Sequence, residues 1–173
     1  MSSSFSSEII QRAEVLSKDH KPFPYITEKG LGPQKMIFCC IDPRVKPEKF
    51  LGLTGGDDVL LVRTVSGSPE RNIRDIAQID KLLGLTELII IKHTDCGTTY
   101  ITDDEVRDYV VEHNPHMAGK VDDFTLHNTK DMVEGVKFDV ELIKSSPFLR
   151  KGLRDTVSGL LYDIKTGKLT KIV

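Results

Sequence analysis

Three short apolar runs constrain this chain more than any other feature of its sequence. They are Met36-Ile37-Phe38-Cys39-Cys40-Ile41, Val59-Leu60-Leu61-Val62 and Leu88-Ile89-Ile90-Ile91, each bounded by turn or charged residues. Runs this brief and without alternation read as strands buried on both faces, as in a parallel sheet. The spacing predicts strands over Lys35–Ile41, Asp58–Val65 and Glu87–Lys92, with Gly55, Gly56 and Asp57 punctuating the chain before the second.

Helical patterns alternate with these strands. Ile9, Ile10, Ala13 and Leu16 form an apolar stripe that predicts a helix from about Ser7 to Lys18, with Ser7 as its cap. Pro47 suits the first position of a short helical turn. Ser68-Pro69-Glu70 reads as a helix start, Ile73, Ile76, Ala77, Ile79, Leu82 and Leu83 as its buried face, and Gly84 as its end. Thr102-Asp103-Asp104-Glu105 fits a capping box for a helix running to His113. A further helix is predicted from Lys130 to Lys144. Thr156–Ile164 and Leu169–Val173 flank Lys165-Thr166-Gly167-Lys168 as a hairpin. The expected fold is α/β: a mainly parallel central sheet of four to five strands flanked by helices, closed by a C-terminal hairpin. No internal repeat or linker divides the chain, so 1–173 reads as a single domain.

Composition excludes several classes. With 39% hydrophobic and 29% charged residues over 173 positions, a wholly disordered or fibrous chain is excluded. No apolar run approaches a membrane span. A net charge of −2 without a basic stripe argues against nucleic acid as a partner. Glu8 and Arg12 interrupt any secretory signal pattern, and Arg12 alone is too little for an Arg-rich transit peptide. Three cysteines, two of them adjacent, are too few for a disulfide scaffold and suit a reducing compartment. A cytoplasmic location is expected, with a mitochondrial one left open.

Sheets of this kind place their sites beyond the C-terminal strand ends. The first strand ends in Cys40-Ile41-Asp42-Pro43-Arg44 and the third in His93-Thr94-Asp95-Cys96. Cys40, His93 and Cys96 together make a Cys₂His set, the ligand chemistry of zinc sites that keep one position for water. Cys39 precedes Cys40 on the same strand and should face the other way. A pair of buried core cysteines, or a closed structural zinc site, would use the same residues; spacing alone leaves these readings level with a catalytic one. Asp42 and Arg44 favour catalysis. A carboxylate beside the metal can orient a zinc-bound hydroxide, and an arginine can grip that carboxylate and keep it ionised.

C-x-D-x-R followed about fifty residues later by H-x-x-C-G resembles the β-class carbonic anhydrases. Gly56-Asp57-Asp58-Val59-Leu60-Leu61-Val62-Arg63 and the closing Gly159-Leu160-Leu161-Tyr162-Asp163 with Thr166-Gly167-Lys168-Leu169 resemble further segments of that family. The resemblance implies that Cys40, His93 and Cys96 bind zinc and that Asp42 and Arg44 form the dyad beside it. In that family the Asp can instead bind the metal and shut the enzyme. The family is built on α/β dimers with active sites at the subunit interface, which implies a homodimer or higher homo-oligomer with residues 1–20 as tail and arm helix. The implied reaction is the reversible hydration of CO₂ to bicarbonate.

One departure bears on substrate. Where the family often reads Arg-Asn-Ala-Gly, this chain has Arg63-Thr64-Val65-Ser66-Gly67. The compact branch of the family also resembles hydrolases of carbonyl sulfide and carbon disulfide, so these remain alternative substrates, and a non-catalytic zinc-binding interaction domain remains a third reading. His113 and His116 are conceivable proton shuttles, with ordinary surface residues as the plainer reading. His20 and His127 carry no functional argument.

Overall fold

The computed structural model describes residues 4–22, 32–53, 59–121 and 130–173. The chain divides into two compact units, 1–31 and 32–173.

The first unit holds helix α1 (Phe5–Ser17). Ser4, rather than Ser7, caps it: the Ser4 side chain accepts from the Ser7 N–H at 3.3 Å. A cap oxygen serves an N–H two or three residues ahead, and Ser4 stands three before Ser7, so the helix begins at Phe5, two residues sooner than predicted. The helix buries none of its own residues.

The second unit is built on one five-stranded sheet in the order β2-β1-β3-β4-β5. Its strands are β1 (Lys35–Cys40), β2 (Val59–Thr64), β3 (Glu87–His93), β4 (Ser158–Tyr162) and β5 (Leu169–Lys171). The first four in the sheet run parallel, and β5 pairs antiparallel with β4 as the predicted hairpin. The three apolar runs are therefore the three neighbouring strands at one side of the sheet, as their lack of alternation requires. Gly55, Gly56 and Asp57 lie outside the described residues.

One face of the sheet presents Met36, Phe38, Leu88 and Ile90 to α3 (Ile73–Leu83), α5 (Met132–Ser145) and α6 (Lys151–Arg154), through Ile76, Val140, Ile143 and Leu153. The opposite face buries Ile37, Cys39 and Ile91 against Phe50 of α2 (Pro47–Phe50), which stacks on Tyr162 with ring centroids 4.1 Å apart. Helix α4 (Asp103–His113) carries the predicted capping box: the Glu105 carboxylate accepts the Thr102 N–H at 2.7 Å and the Thr102 hydroxyl accepts the Glu105 N–H at 3.2 Å. Among the described residues no helix is long and apolar enough to cross a membrane.

Two expectations for α3 need correction. The helix proper begins at Ile73, after a 3₁₀ turn over Glu70–Asn72. Ser68 does accept the Glu70 N–H, but its hydroxyl also donates to Asp139 of α5 at 3.0 Å, which turns the residue toward the core instead of along a new helix. Leu82 is 52% exposed, because it stands off the i+3, i+4, i+7 positions counted from the fully buried Ile76. Gly84 closes the helix as expected, in the left-handed conformation at φ +67.

Close approach of α5 to β4 depends on Gly159. A Cβ there would lie 2.3 Å from Val136 Cγ1 and 2.9 Å from Val140 Cγ2. Gly159→Ala is expected to cost about 1–3 kcal/mol through overpacking, read as a lowered denaturation midpoint. A variant as stable as the parent would show that α5 can back away from the sheet.

Candidate metal centre

β1 and β3 are adjacent and parallel, so their C-terminal ends emerge side by side. Cys40 is the last residue of β1 and His93 the last of β3. After His93 the chain turns sharply, with Asp95 left-handed at φ +56, and this brings Cys96 back beneath the strand ends. Two contacts from the hairpin hold that turn: Thr94 N–H donates to Tyr162 O at 3.0 Å, and Ile164 N–H donates to Thr94 Oγ1 at 3.2 Å.

The three residues converge. Cys40 Sγ and Cys96 Sγ are 3.9 Å apart. With a nitrogen of His93 they form a buried group whose ligand atoms all lie within 4.8 Å of one another. Among the described residues this is the one His/Cys/Asp/Glu group that could hold a metal ion. Cys39 faces elsewhere, its sulfur 3.9 Å from Val62 O within the opposite core, and burial pushes its thiol up to about 11. The strand alternation expected for the adjacent cysteines is thus observed. His113 caps the end of α4 with its Nδ1 2.8 Å from Tyr109 O, and neither it nor His116 joins the group.

The donor set fits a metal. His93 is 1% exposed, and its Nδ1 lies 2.9 Å from the Thr94 carbonyl, which can only accept. The ring proton therefore belongs on Nδ1, and Nε2 presents a lone pair. Nε2 is buried without a hydrogen-bond partner, a costly condition that a cation at this point removes. The hydrogen bond between the two sulfurs lowers the Cys96 thiol and raises that of Cys40, and the thiolate is the form that binds metals.

Asp42 and Arg44 follow β1 and pair with each other beside the cluster. Arg44 Nε sits 3.0 and 3.2 Å from the two Asp42 carboxylate oxygens, and Nη2 reaches Oδ2 at 2.7 Å. These hydrogen bonds hold the Asp42 carboxyl at about 2, below its ordinary 3.8. Asp42 Oδ2 is also 3.9 Å from His93 Nε2, so the carboxylate faces the cluster.

Several positioning residues were not anticipated. Asp95 accepts from Arg44 Nη1 at 2.7 Å, and its own carbonyl accepts from Nη2 at 2.7 Å, so Arg44 bridges both strand ends. Arg63 donates to the carbonyls of Cys40, Asp42 and Val45 at 2.8, 2.9 and 2.8 Å, fixing the loop after β1. Its signal was an arginine closing the apolar run Val59–Val62. Beside the cluster lies a cavity of about 170 Å³ lined by Thr64, Val65, Ile101 and Thr98 among others, the Thr98 hydroxyl being 3.2 Å from Cys96 Sγ.

Comparison with known proteins agrees with this architecture. A family profile described as carbonic anhydrase matches residues 35–169. Beta-carbonic anhydrase 1 of Mycobacterium tuberculosis is 28% identical over 136 residues, covering 79% of this chain and 80% of that protein. Carbon disulfide hydrolase of Saccharolobus solfataricus is 28% identical over 156 residues, covering 78% of this chain and 75% of that protein. Among solved structures, carbonic anhydrase from Streptococcus mutans superposes with a TM-score of 0.81 at 26% identity, covering all of both chains. Since the family profile runs from the first strand to the last and takes in the whole Cys-His-Cys group, this chain belongs to the β-carbonic anhydrase family.

Proposed function

We propose that the chain is a zinc enzyme that catalyses the reversible hydration of CO₂ to bicarbonate and a proton. The observation that carries this reading is the buried, unpartnered His93 Nε2, converging with two cysteine sulfurs beside an ionised Asp42. Cys40, His93 and Cys96 would hold the zinc, in the three-ligand pattern that keeps a position open. Zinc supplies Lewis acidity, which brings the pKa of water to about 7 in such sites.

The remaining work falls to the chain. Asp42, kept ionised by Arg44, accepts a hydrogen bond from the nucleophilic water at Oδ2 and aims its lone pair at the carbon of CO₂. Val65 and Ile101 give the neighbouring cavity apolar walls suited to a small linear molecule. The water oxygen bonds to carbon, one proton passes to solvent buffer, and bicarbonate leaves.

A second reading keeps the site and changes the substrate to carbonyl sulfide or carbon disulfide. It is favoured by one specific observation: Thr64 and Val65 line the cavity where the family often has Asn and Ala, and a softer, less polar wall suits a sulfur-bearing substrate. We also infer a homodimer in which residues 1–20 serve as an arm. Exposed Phe5, Ile9, Ile10 and Leu16 on α1 support this, because apolar residues repeated along one helix favour a covered state. Unbridged cysteines fit a cytoplasmic location.

Purified protein should contain one zinc per chain, as a three-ligand site requires, and should hydrate CO₂ faster than it hydrolyses carbonyl sulfide or carbon disulfide. The reverse preference would establish the second reading; zinc with no activity toward any of the three would leave a binding domain. Sedimentation at assay concentration should give a dimer, and a monomer would refute the arm. Cys40→Ser should lose the metal, since a hydroxyl is a poor zinc ligand at neutral pH; full zinc content in that variant would remove Cys40 from the ligand set. Asp42→Asn should retain zinc and lose about 10²-fold in rate, and an unchanged rate would remove Asp42 from the reaction.

A further inference from the structure

Behind the cluster lies a buried ion pair that the mechanism above does not use. Lys92 is 3% exposed and Asp139 2%, and Lys92 Nζ stands 2.8 Å from Asp139 Oδ2. Lysine and aspartate are rarely buried this deeply, and such a pair can cost more in desolvation than it returns in attraction. Replacement by apolar residues would serve the core at least as well, so the contacts the pair makes define what it is for.

Those contacts converge on one turn. Lys92 Nζ donates to Ser66 O at 3.0 Å and lies 3.2 Å from Ser66 Oγ. Asp139 is held in turn by the Ser68 hydroxyl, at 3.0 Å. The ion pair thus grips both ends of the turn 66–68, which follows β2. Within that turn Ser66 is left-handed at φ 59, a conformation with a cost for any residue that carries a Cβ.

The turn lies directly on the strands that end in the cluster. Gly67, also left-handed, comes so close that a Cβ would lie 3.0 Å from Ile91 O and 3.1 Å from Cys40 N. Adjacent strand residues face opposite ways, so Lys92 points away from the His93 ring, and its ammonium donates instead to this turn.

We propose that the Lys92–Asp139 pair is a positioning device for the metal centre: it holds Ser66 in its left-handed conformation and so seats the 66–68 turn against Cys40. The inference rests on the metal-binding reading above. It assigns to Lys92, Asp139 and Ser66 an influence on how tightly and in what geometry Cys40 ligates.

Cobalt(II) in place of zinc tests this, because its visible absorption reports ligand geometry without any assay of activity. Lys92→Met/Asp139→Leu removes both charges together and avoids stranding one of them. Relative to the parent, this variant should bind cobalt about 10-fold more weakly, with altered thiolate-to-cobalt bands. Adding Ser66→Gly should recover about 3-fold of that loss, since glycine takes positive φ freely. A pair with a merely structural role would lower the denaturation midpoint without changing the cobalt spectrum, and no glycine rescue would follow. Ser66→Pro, which leaves the ion pair intact but excludes positive φ, should show the same weakening and covers the case in which the double variant does not fold. Parent-like affinity and spectrum in either variant, or failure of the glycine rescue, overturns the inference. A parent chain that binds no cobalt overturns the metal reading itself.

Discussion

Parallel pairing of β1 with β3 is the constraint on which the rest of this structure depends. Lys35 aligns with Glu87 and Cys39 with Ile91, so β3 ends at His93, one residue beyond the end of β1 at Cys40. A slip of one residue would turn Cys40 to the face now occupied by Cys39 and take apart the Cys-His-Cys group. The register is held by burial on both faces, with Phe38 and Ile90 facing the helices and Ile37 and Ile91 facing the opposite core. Chemistry at the strand ends is therefore a consequence of packing along their whole length.

Much of this was legible from the chain because the deciding signals are local. Unbroken apolar runs identify buried strands, Thr102 and Glu105 sit at capping-box spacing, and Gly84 follows an apolar stripe. The neighbouring Cys39 and Cys40 had to part to opposite faces, and they did. The five residues of the two motifs are also the ones the fold gathers at one point.

What escaped was set by contacts between distant segments. Lys92 interrupts an apolar strand and Asp139 sits among Val136, Val140 and Ile143 on an apolar helix face, so each was visible as an irregularity. That they are partners depends on α5 crossing β3, which no local pattern encodes. The late start of α3 has the same origin: Ser68 looks like a plain cap until Asp139 claims its hydroxyl. Ser4 and Ser7 were indistinguishable by composition, and only the geometry of the first helical turn separates them.

Arg44 shows how closely structure and reactivity are joined here. It grips the Asp42 carboxylate after β1, and through Nη1 and Nη2 it also binds the side chain and carbonyl of Asp95, between His93 and Cys96. One guanidinium therefore ties together the two strand ends that contribute the candidate ligands, using the planar, multi-donor geometry that lysine lacks. Asp95 holds a left-handed backbone, which aspartate adopts more readily than most residues, and Tyr100, whose hydroxyl donates to its Oδ1 at 2.5 Å, adds a further contact. It follows that the ionised state of Asp42 and the spacing of the ligand set are not independent properties of this site. A change at Arg44 alters the proton affinity of the carboxylate and loosens the turn that delivers Cys96, so its effect on rate belongs to Asp42 only to the extent that metal affinity stays constant.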